Sequence, residues 1–172
     1  MKGKILLIGG VLILLLTLAA FGQSARTDAE FVKEAMTAFE LSSVRPAFVE
    51  AERMGENYRF YPAVRGGRVV GYLWWAKDFR IANHYEDIIL LVEAEGARAK
   101  LVDFWIAHND HHLNMSEEAT KQKFSGMTYD ADWDDNVDTI SGSTLSSYQV
   151  MAAAKTTLFV FEKYVIETGL LK

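Results

Sequence analysis

The sequence predicts an α+β domain, an antiparallel sheet with flanking helices, preceded by one N-terminal hydrophobic helix. Two pairs of apolar and aromatic runs predict β-hairpins, because a short glycine-containing turn joins the members of each pair. The last segment, 145–167, instead repeats its apolar residues at helical spacing. Strands grouped together, with helices before and after them, are typical of α+β proteins.

The hydrophobic helix is predicted at residues 1–22, where Lys2 and Lys4 precede an uncharged run from Ile5 to Gly22. The run has the length of a short membrane anchor, which needs about 17–25 residues. Ala20-Phe21-Gly22 also satisfies the small-x-small rule of signal-peptide cleavage, so anchor and cleaved signal peptide both stay open. Both alternatives place residues 23–172 outside the cytoplasm, on the periplasmic or cell-surface side, because the two lysines stay inside.

The remaining elements follow from caps, turns and spacing. Thr27 can cap a helix that continues to Phe39. Arg45-Pro46 then argues against a long continuous helix, because a residue that precedes proline disfavours the helical conformation. Ser116 is predicted to cap a shorter helix that ends at Phe124. The strands are predicted at 58–64 and 69–76, joined by a turn at 65–68, and at 88–93 and 101–107, joined by a turn at 94–97. The last helix is predicted to bury Tyr148, Met151, Ala152, Leu158, Phe161 and Val165.

Composition excludes several classes of function. The chain has 18 Lys and Arg against 23 Asp and Glu, a net charge of −5, so no basic surface predicts a nucleic-acid partner. Without the two lysines of the N-terminal segment, residues 23–172 carry −5 − 2 = −7. The absence of cysteine excludes disulfides, zinc–thiolate sites, iron–sulfur clusters and a lipoprotein anchor. Any redox chemistry must therefore use a non-thiol cofactor.

The most informative segment is Asp138-Thr139-Ile140-Ser141-Gly142-Ser143-Thr144, directly before the last helix. Gly142 permits a tight turn or a close approach of the backbone. The free N–H groups and the dipole of the helix N-terminus favour an anion there, most often a phosphate. Helix capping by Ser143 or Thr144 is the commoner use of such residues and stays open as the simpler interpretation.

The same segment resembles the flavinylation motif of the FMN-binding domain family, Asp-x-x-(Ser/Thr)-Gly-Ala-(Ser/Thr). That family includes the G subunit of the Rnf complex and the C subunit of the sodium-pumping NADH:quinone reductase. Asp138, Ser141 and Gly142 fit the motif, Ser143 stands where the family usually has Ala, and Thr144 stands at the acceptor position. The resemblance implies that a flavin transferase attaches FMN to Thr144 through a phosphoester.

The resemblance extends to the strands before the motif. Tyr85, Ile88 and His108 match family positions, whereas the glycine and proline of the family's first loop and the Thr-Pro of its second are absent. A flavin ring system needs apolar walls and a few polar contacts. The candidate cofactor-binding residues, besides Thr144 itself, are Ser141, Gly142, Ser143, Leu145, Tyr85, His108, Asp110 and His111, with Trp133 as a further candidate wall. Of the adjacent Trp74 and Trp75, one should lie in the core and the other at a cofactor or partner surface.

No metal site is predicted. His108, Asp110, His111 and His112 are possible ligands, but neighbours on an extended segment cannot all face one point. A polar surface loop is therefore the better interpretation of this segment. The acidic run 130–138 lacks the glycine and the closing glutamate of a calcium loop, so a solvated loop is expected there.

The resemblance, together with the apolar N-terminal run, implies an extracytoplasmic electron carrier with FMN covalently attached to Thr144. Its partners would be subunits of a membrane redox complex or an extracytoplasmic electron donor or acceptor, with a flavin transferase for maturation. No nucleophile–base pair is evident in the sequence, so no catalytic residue is predicted and its status as an enzyme stays open. A non-redox binding or scaffold module and an oxidoreductase domain with noncovalent FMN are the alternatives.

Overall fold

A computed structural model of the chain describes residues 26–81, 84–107, 113–134 and 144–171. These residues form an antiparallel sheet of six strands with helices packed on it, so the predicted α+β class is confirmed. The hydrophobic helix predicted at 1–22 lies outside the described residues. Within the described residues, no helix is long and apolar enough to cross a membrane.

The sheet contains both predicted hairpins and two short strands that the sequence did not predict. Its spatial order is β1-β3-β4-β5-β6, each neighbour antiparallel, and β2 pairs with the first half of β3. Pro46 lies between the two unpredicted strands, β1 and β2. The strands are β1 Ser43–Val44, β2 Val49–Arg53, β3 Glu56–Arg65, β4 Arg68–Ile81, β5 His84–Glu95 and β6 Arg98–Ala107.

The helices of the described residues are α1 Asp28–Ala38, α2 Leu113–Ser116, α3 Glu118–Phe124 and α4 Thr144–Val160, which continues as a π-helix over Phe161–Ile166. The predicted cap of α1 is confirmed, because Thr27 and Glu30 form a reciprocal capping box. The predicted cap at Ser116 is wrong. Ser116 ends α2, and Glu117 stands at the N-cap of α3 without a side-chain hydrogen bond.

Strand β5 is buried on both faces, and this explains why helices cover both sides of the sheet. Ile88, Leu90 and Val92 face the core that α4 covers, whereas Ile89 and Leu91 face the core that α1 covers. Adjacent residues of a strand point to opposite faces, so an uninterrupted apolar run fits a doubly covered strand. Helix α4 buries Val150, Ala153 and Ala154, while the predicted Tyr148, Met151 and Ala152 are only partly buried.

Both long helices begin at the same end of the sheet. Arg26, just before α1, lies with its Nε 3.5 Å from Asp87 Oδ2 near the start of β5. The first turn of α4 contacts Glu86 on the same strand. We call this the Thr144 end, comprising Arg26, Ile81 of β4, residues 84–87 of β5 and Thr144.

The opposite end of the sheet holds the β3–β4 and β5–β6 turns. Gly66 and Gly67 join β3 to β4, and Gly96 joins β5 to β6, all with positive φ. Glu162 of the π-helix bonds there to the backbone of Ala99. We call this the Gly96 end.

Candidate functional site

Thr144 is the first residue of α4, and its side chain is exposed. The next hydroxyl residues of the first turn are buried and hydrogen-bonded. Ser146 Oγ donates to Glu86 Oε1 at 2.5 Å, and Ser147 Oγ donates to Met115 Sδ at 3.3 Å. Thr144 is thus the accessible hydroxyl among the described residues of this turn, and its neighbour Leu145 is 50% exposed.

Glu86 anchors this turn to the sheet. It lies on β5 two residues before Ile88, and the alternation of the strand turns it toward α4. Its side chain is buried, with 7% of its surface exposed. A carboxylate beside a helix N-terminus interacts favourably with the helix dipole, so the sheet itself supplies an anion under the first turn of α4.

The second turn of α4 is attached to the sheet near the same place. Gln149 Nε2 donates to the backbone carbonyl of Phe79 at 2.8 Å. Gln149 lies three residues after Ser146, so both side chains project from one side of the helix. The Asp78 amide, at an irregularity of β4, donates to Asp87 Oδ1 at 2.9 Å. These hydrogen bonds therefore connect the start of α4, the end of β4 and the start of β5.

Tyr85 lies at the Thr144 end and is 52% exposed. Because it precedes Glu86 on β5, it points to the other face of the sheet from the first turn of α4. The guanidinium carbon of Arg80 lies 5.1 Å from the centre of the Tyr85 ring. Tyr85 and Thr144 therefore flank the same end of β5 from opposite faces.

The other predicted cofactor-binding residues lie outside the described residues: Ser141, Gly142, Ser143, His108, Asp110 and His111. Within the described residues, no group of three or more His, Cys, Asp or Glu side chains forms a cluster able to hold a metal ion.

Trp133 is a core residue rather than a wall of an open site. It is 1% exposed, and its indole N–H donates to the Thr128 carbonyl at 2.9 Å. Its ring lies 6.0 Å from that of Phe124. The buried position and the internal hydrogen bond account for this tryptophan structurally.

Trp74 and Trp75 point to opposite faces of the sheet, as predicted. Trp75 stacks on Phe31 and on Tyr61, with ring centres 5.8 Å and 4.6 Å away. Trp74 stacks on Tyr58. Both tryptophans line a shallow cleft of about 200 Å³ with Asp28, Asn57, Arg59 and Tyr61.

The fold and this geometry define an α+β domain that presents one accessible threonine at the start of a long helix. Comparisons of the chain with protein-family models, with curated proteins and with solved structures found no match. The resemblance to the FMN-binding domain family therefore stands on the sequence motif alone, and the function below is a proposal.

Sequence reasoning did not identify Glu86, Ser146 or Gln149. The alternation of β5 contained a signal for Glu86, because it shares its face with three buried aliphatic residues, Ile88, Leu90 and Val92. A glutamate that continues such an apolar face is buried and must find a polar partner. The sequence contained no sign that this partner is a serine 60 residues later.

Proposed function

We propose that the protein is an extracytoplasmic electron carrier in which Thr144 holds FMN through a phosphoester. It would serve a membrane redox complex or another extracytoplasmic donor or acceptor. The observation that carries this proposal is the difference in accessibility among the hydroxyls of the first turn. Thr144 is exposed, whereas Ser146 and Ser147 are buried and hydrogen-bonded.

Accessibility matters because another enzyme must reach the acceptor. In the attachment step, Thr144 Oγ forms a bond to the phosphorus of a flavin nucleotide donor and loses its proton, while the donor's leaving group departs from that phosphorus. Ser146 and Ser147 cannot enter the active site of the transferase without breaking their hydrogen bonds to Glu86 and Met115. The fold therefore supports selection of one hydroxyl from this turn.

The electrostatics of the site are compatible with a phosphodiester. The dipole of a helix stabilises a nearby anion by about 0.3–1 kcal/mol at an exposed site. Glu86 already places a carboxylate under the same turn, on the side facing the sheet. Thr144 faces solvent, so water and salt screen the repulsion between its phosphodiester and Glu86.

The chain's own residues would position the cofactor rather than react. Bound FMN would supply one- and two-electron transfer. The Ser146–Glu86 and Gln149–Phe79 hydrogen bonds hold the start of α4 on the sheet. They thereby limit where a group on Thr144 can go. Leu145, the next residue of the helix, and Tyr85 on β5 are the half-exposed apolar side chains of the Thr144 end.

The test compares two adjacent hydroxyl residues. The protein is expressed with a flavin transferase, and intact-protein mass spectrometry measures the FMN increment. Thr144→Ala should abolish the increment, because it removes the ester oxygen. Ser143→Ala, the matched control, should retain it, because alanine is the residue the family motif usually has there. Thr144→Ser should retain at least part of it.

The alternatives give different results in the same assay. An unmodified wild type beside an active transferase would overturn the proposal and favour a binding or scaffold module. A yellow protein that loses its flavin on denaturation would favour an oxidoreductase domain with noncovalent FMN. A denaturing gel under ultraviolet light distinguishes the last case, since only a covalent flavin remains fluorescent on the protein band.

A further inference from the structure

We infer that the Thr144 end of the domain faces the surface of the membrane that residues 1–22 enter, so that Thr144 and Tyr85 lie next to the lipid headgroups. The inference rests on the anchored form of the proposed function, in which the apolar run is retained. It adds an interaction surface and its occupant, a lipid bilayer. Two features of the chain support it: the few residues between Gly22 and Arg26, and the position of Arg26 beside β5.

The first step is where the chain joins the domain. The Arg26 side chain is 12% exposed and is held by two carboxylates. Its Nη1 lies 2.7 Å from Glu34 Oε1, and its Nε lies 3.5 Å from Asp87 Oδ2. The capping box of Thr27 and Glu30 follows directly. Arg26, the first described residue, is therefore fixed beside the first residues of β5.

The second step is the length of the connection. The apolar run ends at Gly22, four residues before Arg26. Four residues span at most about 14 Å, whatever conformation they adopt. Strand β5 has 12 residues, and at about 3.3 Å for each residue it is about 40 Å long. A connection this much shorter than the sheet keeps the Thr144 end near the bilayer and the Gly96 end away from it.

The third step is the chemistry of the surface so placed. Tyr85 is 52% exposed with Arg80 beside its ring, and Leu145 is 50% exposed. Tyrosine and arginine are suited to the interface between lipid headgroups and water, because each side chain has an apolar part and a polar or charged end. Exposed apolar residues also occur elsewhere, for example Met54 and Leu170. The short connection, rather than exposure alone, therefore selects the Thr144 end.

The consequence concerns the electron partner. A group on Thr144 would lie between the domain and the membrane, within reach of a membrane-embedded partner and shielded from a large soluble one. Glu86, which accepts from Ser146, and Asp87, which pairs with Arg26, are adjacent residues of β5. The same short piece of strand thus fixes both the membrane connection and the attachment turn.

The test uses the absence of cysteine, which makes a single introduced cysteine the only labelling site. Leu145→Cys and Leu170→Cys form a matched pair, because both leucines are 50% exposed. They lie at opposite ends of a helical segment that covers 144–166 and is about 35 Å long. Each full-length variant is labelled with an environment-sensitive fluorophore and reconstituted without flavin, whose absorption would interfere.

The vesicles contain phosphatidylcholine, a minority of which carries a nitroxide quencher on its headgroup. A zwitterionic lipid is chosen so that the −7 charge of residues 23–172 does not repel the domain from the surface. The label at position 145 should be quenched several-fold more strongly than the label at position 170. Tyr85→Cys and Val69→Cys, on strands at the same two ends, should repeat the difference.

Equal quenching at both ends, stronger quenching at position 170, or no quenching at either would overturn the inference. Insertion of a long Gly/Ser segment between Gly22 and Gln23 tests the cause. The difference between positions 145 and 170 should then fall by more than half, and an unchanged difference would exclude the short connection as its origin. Mass spectrometry of Thr144 on separate samples reports attachment independently, so orientation and flavinylation can fail separately.

Discussion

The two ends of the sheet each contain a buried glutamate, but the two carboxylates have different partners. At the Gly96 end, Glu162 is 2% exposed, accepts the Ala99 amide at 3.0 Å and lies 3.2 Å from Arg98 Nε. At the Thr144 end, Glu86 is 7% exposed and accepts the Ser146 hydroxyl. The first carboxylate joins a helix to a strand through a cation and a backbone N–H. The second receives the hydroxyl of the turn that presents Thr144.

The surroundings of the two glutamates extend this difference. Arg98 also pairs with Asp130, and Lys163 pairs with Glu167, so charges of both signs alternate at the Gly96 end. The Thr144 end presents an exposed hydroxyl and half-exposed Tyr85 and Leu145. We expect the Glu162 contacts to matter mainly for stability, and the Glu86 contact to matter also for the turn that presents Thr144. The predictions below test this division.

The largest effect should come from Glu162→Ala. Removing this buried carboxylate leaves the Ala99 amide without its acceptor and takes away one of the two carboxylates that pair with Arg98, which costs about 2–3 kcal/mol of unfolding free energy. Flavin attachment to Thr144 should be unchanged at temperatures where the variant is folded. Urea unfolding and mass spectrometry measure the two effects.

Glu167→Ala is the control for Glu162, because it removes a carboxylate that is 48% exposed from the same helical end. It should change stability much less. If Glu162→Ala reduced flavin attachment as strongly as stability, the separation of the two ends would be wrong.

Glu86→Ala should have a smaller effect on stability and a larger one on the site. Loss of the acceptor for Ser146 should cost about 1–2 kcal/mol, and the first turn of α4 should become less ordered. Covalent flavin per protein should therefore fall. Glu86→Gln, whose amide oxygen can still accept from Ser146, should recover most of the attachment. Wild-type flavin content in Glu86→Ala would show that this carboxylate serves only the fold.

The parts of the fold that sequence predicted are those with local signals. Gly66, Gly67 and Gly96 marked the turns, and Thr27 with Glu30 marked the start of α1. Strand β1 was missed because it has two residues and its partner in β3 lies far along the chain. Strand β2 was missed because Met54-Gly55, the two-residue turn that joins it to β3, was not recognised as a hairpin turn. The buried face of the last helical segment was predicted only in part. Leu158, Phe161 and Val165 are buried as predicted, but Ser146, Ser147, Gln149 and Thr157 are buried with the apolar residues and were not predicted. Polar residues inside the buried face hide the helical period.

The site shows the same limit. Thr144 was placed correctly at the start of the last helix, because a run of small hydroxyl residues before an apolar period is a local signal. Its anchoring by Glu86 depends on residues 60 positions apart, and the Arg26–Asp87 contact is similarly distant. Such contacts exist only once the sheet has brought α1 and α4 to one end. Trp133 was expected to form a wall of the cofactor site. Its hydrogen-bond acceptor, the Thr128 carbonyl, is only five residues away, but its burial depends on tertiary packing that the sequence does not show.

The smallest effect should come from Asp130→Asn at the Gly96 end. Two hydrogen bonds hold the pKa of Asp130 below its ordinary value of 3.8. The larger effect comes from Thr128 and the next from Arg98. A carboxyl group whose pKa is lower in the folded state than in the unfolded state stabilises the fold above the unfolded pKa. That contribution is lost as the pH falls through the folded pKa. Because Asp130 is exposed, solvent and salt screen the contribution, so it should be small.

Wild type should therefore be slightly more stable than Asp130→Asn at neutral pH. The difference should shrink as the pH falls below the ordinary aspartate pKa and disappear once Asp130 is protonated in the folded state. Urea midpoints across this range, at low and high salt, measure it. Asp134→Asn removes the same charge from another exposed aspartate of the segment and serves as the control for net charge. A difference that grows toward low pH would have the wrong sign for a stabilising carboxylate. It would show that Asp130, unlike Glu162, does not contribute to closing the Gly96 end.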